Sequence, residues 1–221
     1  MARKAFKDLG VAVYPWFQSI TSNFAVDLEG FAFPWMAFLT GNVSMRKEFI
    51  IQAGLFDEDF VGYGYEDWEL GYRLYKMGAK YIVRNDLTTY HQEHPIGESK
   101  WKEAISNLGR FILKHPDIDV IILGLEISGL ADLLTMNKVL SEYKLLVQSY
   151  PERFQKFEEK FIRILETIVL LLQIDIRHLN ILGAAGFGSD VRKELQEDIN
   201  SIKGLKKFPN LTYLLEKVLN S

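Results

Sequence analysis

One stretch constrains this chain more than any other. From Phe154 to Leu172, the residues Phe154, Phe157, Phe161, Ile164, Leu165, Ile168, Leu171 and Leu172 recur at spacings of three and four. That period places them on a single helix face, and a face so apolar needs other elements to cover it. Pro151 suits the first turn of this helix, where its missing N–H is not needed. The flanking sequence supplies the cover: its pattern predicts further helices over 101–114, 119–134, 136–148, 190–203 and 210–219. Asn210 is placed to cap the last of these and Gly204 to close the one before it.

The first hundred residues have a different texture. All four tryptophans (Trp16, Trp35, Trp68 and Trp101) lie in the first 101 residues, among glycines and short apolar runs. Val43–Met45 reads as the end of a strand, followed by a short helix from Lys47 to Ala53 that Gly54 stops. A second helix runs from Asp67 to Met77, with Gly78 as its stop, and Tyr81–Val83 reads as another strand. The expected architecture is an α/β unit with a mixed sheet and short helices over 1–100, followed by an all-α helical domain over 101–221.

Composition removes several function classes. With 26 basic against 29 acidic side chains, there is no general electrostatic attraction for nucleic acid. The absence of cysteine excludes disulfides, thiolate metal sites and cysteine nucleophiles. No apolar segment of a secretory signal follows the charged start before Pro15. The most apolar run, Phe31–Leu39, is nine residues broken by Pro34, against the roughly 20 needed to span a bilayer. A cytoplasmic protein is expected, with peripheral attachment at the inner face of the membrane left open.

The densest polar cluster lies between Phe56 and Leu70. It holds six carboxylates (Asp57, Glu58, Asp59, Glu66, Asp67 and Glu69), interleaved with Phe56, Phe60, Tyr63, Tyr65 and Trp68 and with two glycines, Gly62 and Gly64. Carboxylates accept hydrogen bonds from hydroxyls, and aromatic faces cover apolar C–H surfaces, so the pairing suits a carbohydrate. The competing reading is an acidic loop that caps the helix starting at Asp67. His91 and His94 are spaced to ligate a divalent metal, or are two solvated loop histidines. His115 and His178 read as structural. The glycine-rich run 183–189 lacks the lysine of a phosphate-binding loop and reads as a connection between helices.

The order of four segments adds to this. Thr40-Gly-Asn-Val-Ser-Met-Arg46, Ala53-Gly-Leu-Phe-Asp-Glu-Asp-Phe60, Gly62-Tyr-Gly-Tyr-Glu-Asp-Trp-Glu-Leu-Gly-Tyr-Arg-Leu74 and Tyr90-His-Gln-Glu-His94 follow one another. Together, over residues 34–95, they resemble the C-terminal, acceptor-binding half of GT-A glycosyltransferases. The stretch looks similar to family 2 enzymes and to the galactosyltransferase C-terminal domain, including bacterial chondroitin-polymerase-like enzymes.

The resemblance implies a set of roles. Asp67 matches the general base that deprotonates the acceptor hydroxyl, and Glu66 the group that orients that acceptor. Tyr63, Gly64, Tyr65 and Trp68 would border the acceptor, Trp68 standing where some relatives carry a further acid. Gly41 and Asn42 would lie beside the donor sugar, and His91 matches a ligand of a divalent metal (Mn2+ or Mg2+) near the donor diphosphate. The implied reaction moves a sugar from a nucleotide-sugar donor to a glycan or similar acceptor with inversion.

The nucleotide-binding half with its Asp-x-Asp motif has no counterpart here; Asp57-Glu-Asp59 and Asp117-Ile-Asp119 fall in the wrong segments. The resemblance therefore implies a fragment that is inactive alone and holds little or no metal. The alternative is a non-catalytic module, derived from such an enzyme, that binds glycan or protein. The helices after 101 leave a membrane-bound or protein partner open.

Overall fold

The structure, a computed structural model, describes residues 15–84, 86, 87, 89, 97–176 and 180–220. Its helices are α1 (Pro15–Asn23), α2 (Lys47–Gln52), α3 (Glu66–Lys76), α4 (Lys100–Lys114), α5 (Ile118–Ile121), α6 (Gly124–Ile127), α7 (Leu133–Ser149), α8 (Gln155–Gln173), α9 (Ile181–Ala184), α10 (Ser189–Gly204) and α11 (Pro209–Leu219). Two 3-10 turns, Pro34–Ala37 and Thr40–Asn42, punctuate the first part.

The expected mixed sheet is absent: no strand occurs among the described residues. Val43 is extended, at φ −135° and ψ 146°, and Val83 donates one backbone hydrogen bond to the Val26 carbonyl at 2.7 Å. A strand, however, exists only as part of a ladder. Val43, Ile82 and Val83 supplied the propensity at 43–45 and 81–83, and among the described residues no second strand lies alongside to complete the pairing.

Three helix boundaries also differ from expectation. The helix expected over 119–134 is two short turns, α5 and α6, ended by Gly129 at φ +73°. Asp132 then caps α7 by accepting from the Thr135 N–H at 2.7 Å. Pro151 lies outside α8, whose flanking residue is Phe154. Pro209 opens α11, while Asn210 donates its side-chain amide to Glu142 at 2.5 Å instead of capping. The glycine-rich run forms the short α9 and a turn into α10.

The long helix α8 stands at the centre. Its apolar face is buried through Phe157, Phe161, Ile164, Leu165, Ile168, Leu171 and Leu172, packed by α4, α6, α10 and the shorter helices. The same continuous cluster takes in Trp35, Tyr72, Leu108 and Phe111, so α4 is shared by the helical array and the earlier segments. A smaller cluster of Phe38, Leu70 and Leu74 holds α2 against α3. Gly71 is required there, because a Cβ at that position would lie 2.6 Å from the Trp35 carbonyl oxygen. One polar tie joins distant parts. Asn137 on α7 accepts the Ala32 N–H at 2.6 Å and donates to the Gly30 carbonyl at 3.3 Å.

Candidate active site

The acid pair sits at the start of α3, where the chain makes an unusual approach. Gly62, Gly64 and Tyr65 all have positive φ, at 82°, 97° and 71°. Glycine adopts this region freely, whereas Tyr65 does so at a cost of about 1–3 kcal/mol that its surroundings must offset. Helix α4 provides that support. Asn107, fully buried, donates its side-chain amide to the carbonyls of Val61 at 3.2 Å and Tyr63 at 3.3 Å. Glu103 accepts the Tyr63 N–H at 2.9 Å, and Gly64 lies where a Cβ would stand 3.3 Å from the Ala104 Cβ.

Asp67 projects from the first turn of α3 onto another segment. Its Oδ1 accepts from the Thr40 hydroxyl at 2.8 Å and its Oδ2 from the Thr40 N–H at 3.1 Å. The Thr40–Asn42 turn, with Gly41 and Asn42, is thereby fixed beside the acid pair. Asn42 is tied in turn to the Leu87 carbonyl at 3.1 Å. No side-chain bond caps α3 itself, which separates this geometry from a plain capping loop. A carboxylate oxygen has two lone pairs, so each Asp67 oxygen retains capacity for a further donor. The Glu66 Oε2 is buried and has no hydrogen-bond partner among the described residues. An orphaned buried carboxylate oxygen of this kind calls for a ligand or water.

Tyr65 and Trp68 serve packing. Trp68 lies edge-on to Trp16, Trp35 and Tyr65 at centroid distances of 5.5, 6.2 and 5.3 Å. Burial, followed by the nearby Glu126 charge, pushes the Tyr65 phenol well above its usual range. Tyr63, by contrast, is exposed.

A second polar centre lies one turn further along α3, and sequence reasoning missed it. Glu69 is buried and receives Arg73 Nε and Nη2 at 2.7 Å each, with His115 Nε2 at 2.8 Å. Burial pushes its carboxyl up, but the bonds from His115 and Arg73 together outweigh burial and hold it below the usual glutamate range. Arg73 also reaches the carbonyls of Ala53 and Leu55. An open cleft of about 440 Å3 is lined by Gly54, Asp57, Glu69, Arg73, Lys114 and His115. Its charges are already paired, Lys114 binding Asp57 and Asp59 at 2.6 Å each, so this is bracing. The Glu69–Arg73 spacing of four was a usable signal; nothing in the sequence marked Glu103, Asn107 or His115 as partners of these segments.

His91 and His94 lie outside the described residues, as does His178. Among the described residues no three His, Asp or Glu side chains come together as a metal-binding group. Nor is any helix among them long and apolar enough to cross a membrane.

Comparison with known proteins agrees with the motif order. Residues 22–94 match the family described as the N-terminal domain of galactosyltransferase. Over 151 residues the chain is 28% identical to an uncharacterized glycosyltransferase of Bacillus subtilis, covering 68% of this chain and 38% of that protein. It is 36% identical over 109 residues to the validoxylamine A glucosyltransferase of Streptomyces hygroscopicus subsp. jinggangensis, covering 47% of this chain and 26% of that one. It is 41% identical over 71 residues to the chondroitin synthase of Escherichia coli, covering 32% and 10%. The chain thus spans well under half the length of these relatives. No solved structure matches. The family match spans the segment that carries the acid pair, and the chain is similar to proteins named as glycosyltransferases and as a chondroitin synthase.

Proposed function

We propose that this chain is the acceptor-binding and catalytic-base part of an inverting glycosyltransferase that moves a sugar from a nucleotide-sugar donor to a glycan acceptor. The observation that carries the reading is the junction of Asp67 with Thr40, beside the orphaned Glu66 Oε2. Thr40, Gly41 and Asn42 form the donor-side turn, and Asp67 reaches it from the acceptor side. An acceptor sugar placed here donates a neighbouring hydroxyl to Glu66, which orients it, and the attacking hydroxyl gives its proton to Asp67. As that proton leaves, the hydroxyl oxygen attacks the anomeric carbon from the face opposite the nucleotide diphosphate. The C–O bond to the diphosphate breaks with its electron pair on the departing oxygen, and configuration inverts.

These roles are those of side chains in the described segment; His91, which the resemblance implies as a metal ligand, lies outside the described residues. Thr40 keeps the Asp67 carboxylate oriented, a positioning role.

The test is Asp67→Asn in a complete glycosyltransferase containing this segment. Asparagine keeps the size and can still accept from Thr40, but it cannot take the acceptor proton. General-base catalysis is worth about 10²–10⁴-fold, so kcat should fall by that order while donor KM stays nearly unchanged. Glu66→Gln should instead raise acceptor KM along with a loss of rate. An Asp67→Asn enzyme with near-normal kcat would return the acid pair to a structural role.

A further inference from the structure

Two aromatic rings, Tyr63 on the loop that leads to the acid pair and Trp101 on the first turn of α4, face solvent. Tyr63 is 47% exposed and Trp101 is 71% exposed, although rings of this size usually bury most of their surface. Both converge on one cation. Lys100 Nζ lies 4.1 Å from the Tyr63 ring centroid and 5.8 Å from that of Trp101. Lys100 makes no ion pair among the described residues.

This platform is rigidly placed relative to Glu66 and Asp67. Tyr63 belongs to the same positive-φ loop, with its N–H held by Glu103 and its carbonyl by Asn107. Lys100 and Trp101 belong to α4, the helix that supplies both of those ties. The rings and the acid pair are therefore fixed to one scaffold.

Flat aromatic faces cover the C–H face of a pyranose ring, and an ammonium donates to hydroxyls or pairs with a carboxylate. Two rings and one ammonium are too small an area for a protein interface, which buries roughly 800 Å2 on each partner. We infer that Tyr63, Lys100 and Trp101 form a second acceptor subsite, which takes the sugar ring adjoining the one that reacts, with Lys100 favouring an acidic substituent on it. The inference rests on the acceptor-side reading of Glu66 and Asp67. It adds that the acceptor is a chain of at least two sugars.

The experiment probes an immobilised glycan array, carrying neutral and acidic mono- and oligosaccharides, with the labelled 221-residue chain at low and high salt. The intact chain should be retained by glycans of two or more sugars, most strongly by acidic ones. Trp101→Ala should lower that signal roughly tenfold or more. Lys100→Ala should weaken the acidic glycans selectively and reduce the salt dependence of their retention. Both side chains being exposed or half-exposed, both variants should keep the thermal midpoint of the intact chain. Equal retention by Trp101→Ala and the intact chain would overturn the subsite, as would an intact chain that no glycan retains. Neither result touches the Asp67 assignment, which stands or falls on the kcat of Asp67→Asn.

Discussion

The chain holds itself together in two different ways. From Ile118 onward, apolar helix faces close on one another, and a residue's contribution follows from how much surface it buries. From Pro15 to the start of α4, regular structure is short, and beside buried side chains such as Phe33, Trp35 and Tyr72 the fold relies on polar groups that meet specific partners: Asp67 on Thr40, Asn107 on two carbonyls, Arg73 on Glu69 and two carbonyls. The difference teaches where function can reside. Burial is non-directional and tolerates small shifts, whereas a hydrogen bond fixes an atom to within a few tenths of an ångström. On the proposed reading, the part that places a proton acceptor is the part richest in directional ties.

Substitutions on each side should separate the two modes. Phe157→Ala attacks the array where Phe157 is fully buried and stacked on Phe161 at 5.9 Å. It should cost about 3–5 kcal/mol in denaturant unfolding, with the whole molecule losing stability together. A loss confined to the array, leaving residues 15–84 protected from hydrogen exchange, would mean that the two parts do not share a core.

Glu69→Gln leaves Arg73 without its buried counter-charge, and should cost roughly 3 kcal/mol at neutral pH. The pH dependence has a defined sign. A carboxyl held below its unfolded value stabilises above that value, and the contribution is lost as pH falls through the lowered folded value. The intact chain should therefore lose stability in the acid range below the ordinary glutamate pKa, and Glu69→Gln should show a flatter acid limb. Parallel acid limbs would remove Glu69 from the account.

Asn107→Ala strands the Val61 and Tyr63 carbonyls, for about 1–3 kcal/mol. Its sharper signature is local: amides of residues 61–65 should exchange faster while those of α8 lose protection only by the global amount. Gly64→Ala is the smallest effect, about 1–2 kcal/mol from the positive φ, read as a small drop in thermal midpoint. If Gly64→Ala raised stability, the loop would be free to adopt another conformation and α4 would not be its template.

The same contrast explains what the sequence disclosed. The faces of α4, α8, α10 and α11 were legible because burial writes a period into the chain. Gly54 and Gly78 marked their turns because only a positive φ suits them, at 91° and 90°. The acid pair was singled out by its match to a family motif, while its aromatic and glycine neighbours alone left a capping loop open. The absence of a sheet among the described residues was not legible, since propensity at 81–83 says nothing about whether a partner strand lies alongside. Nor was the grip of Asn107 on Val61 and Tyr63 legible, because a partner 44 to 46 residues away leaves no local trace. The break within 119–134 was hidden by a long apolar run whose two glycines could each have sat inside a helix.

The tie made by Asn137 has a bearing on the order of folding. It meets Ala32 and Gly30 across 105 and 107 residues, which places it among the contacts slowest to form, since a large loop must close before the bond rewards it. Helix α7 can assemble with its sequence neighbour α8, and with α11 across a shorter separation of 68 to 69 residues, before that. Once it has, Asn137 presents one acceptor and one donor at a fixed spacing, the arrangement a neighbouring backbone would offer. The early segment is then expected to dock onto a finished surface, arriving last in time although its residues come first in the chain.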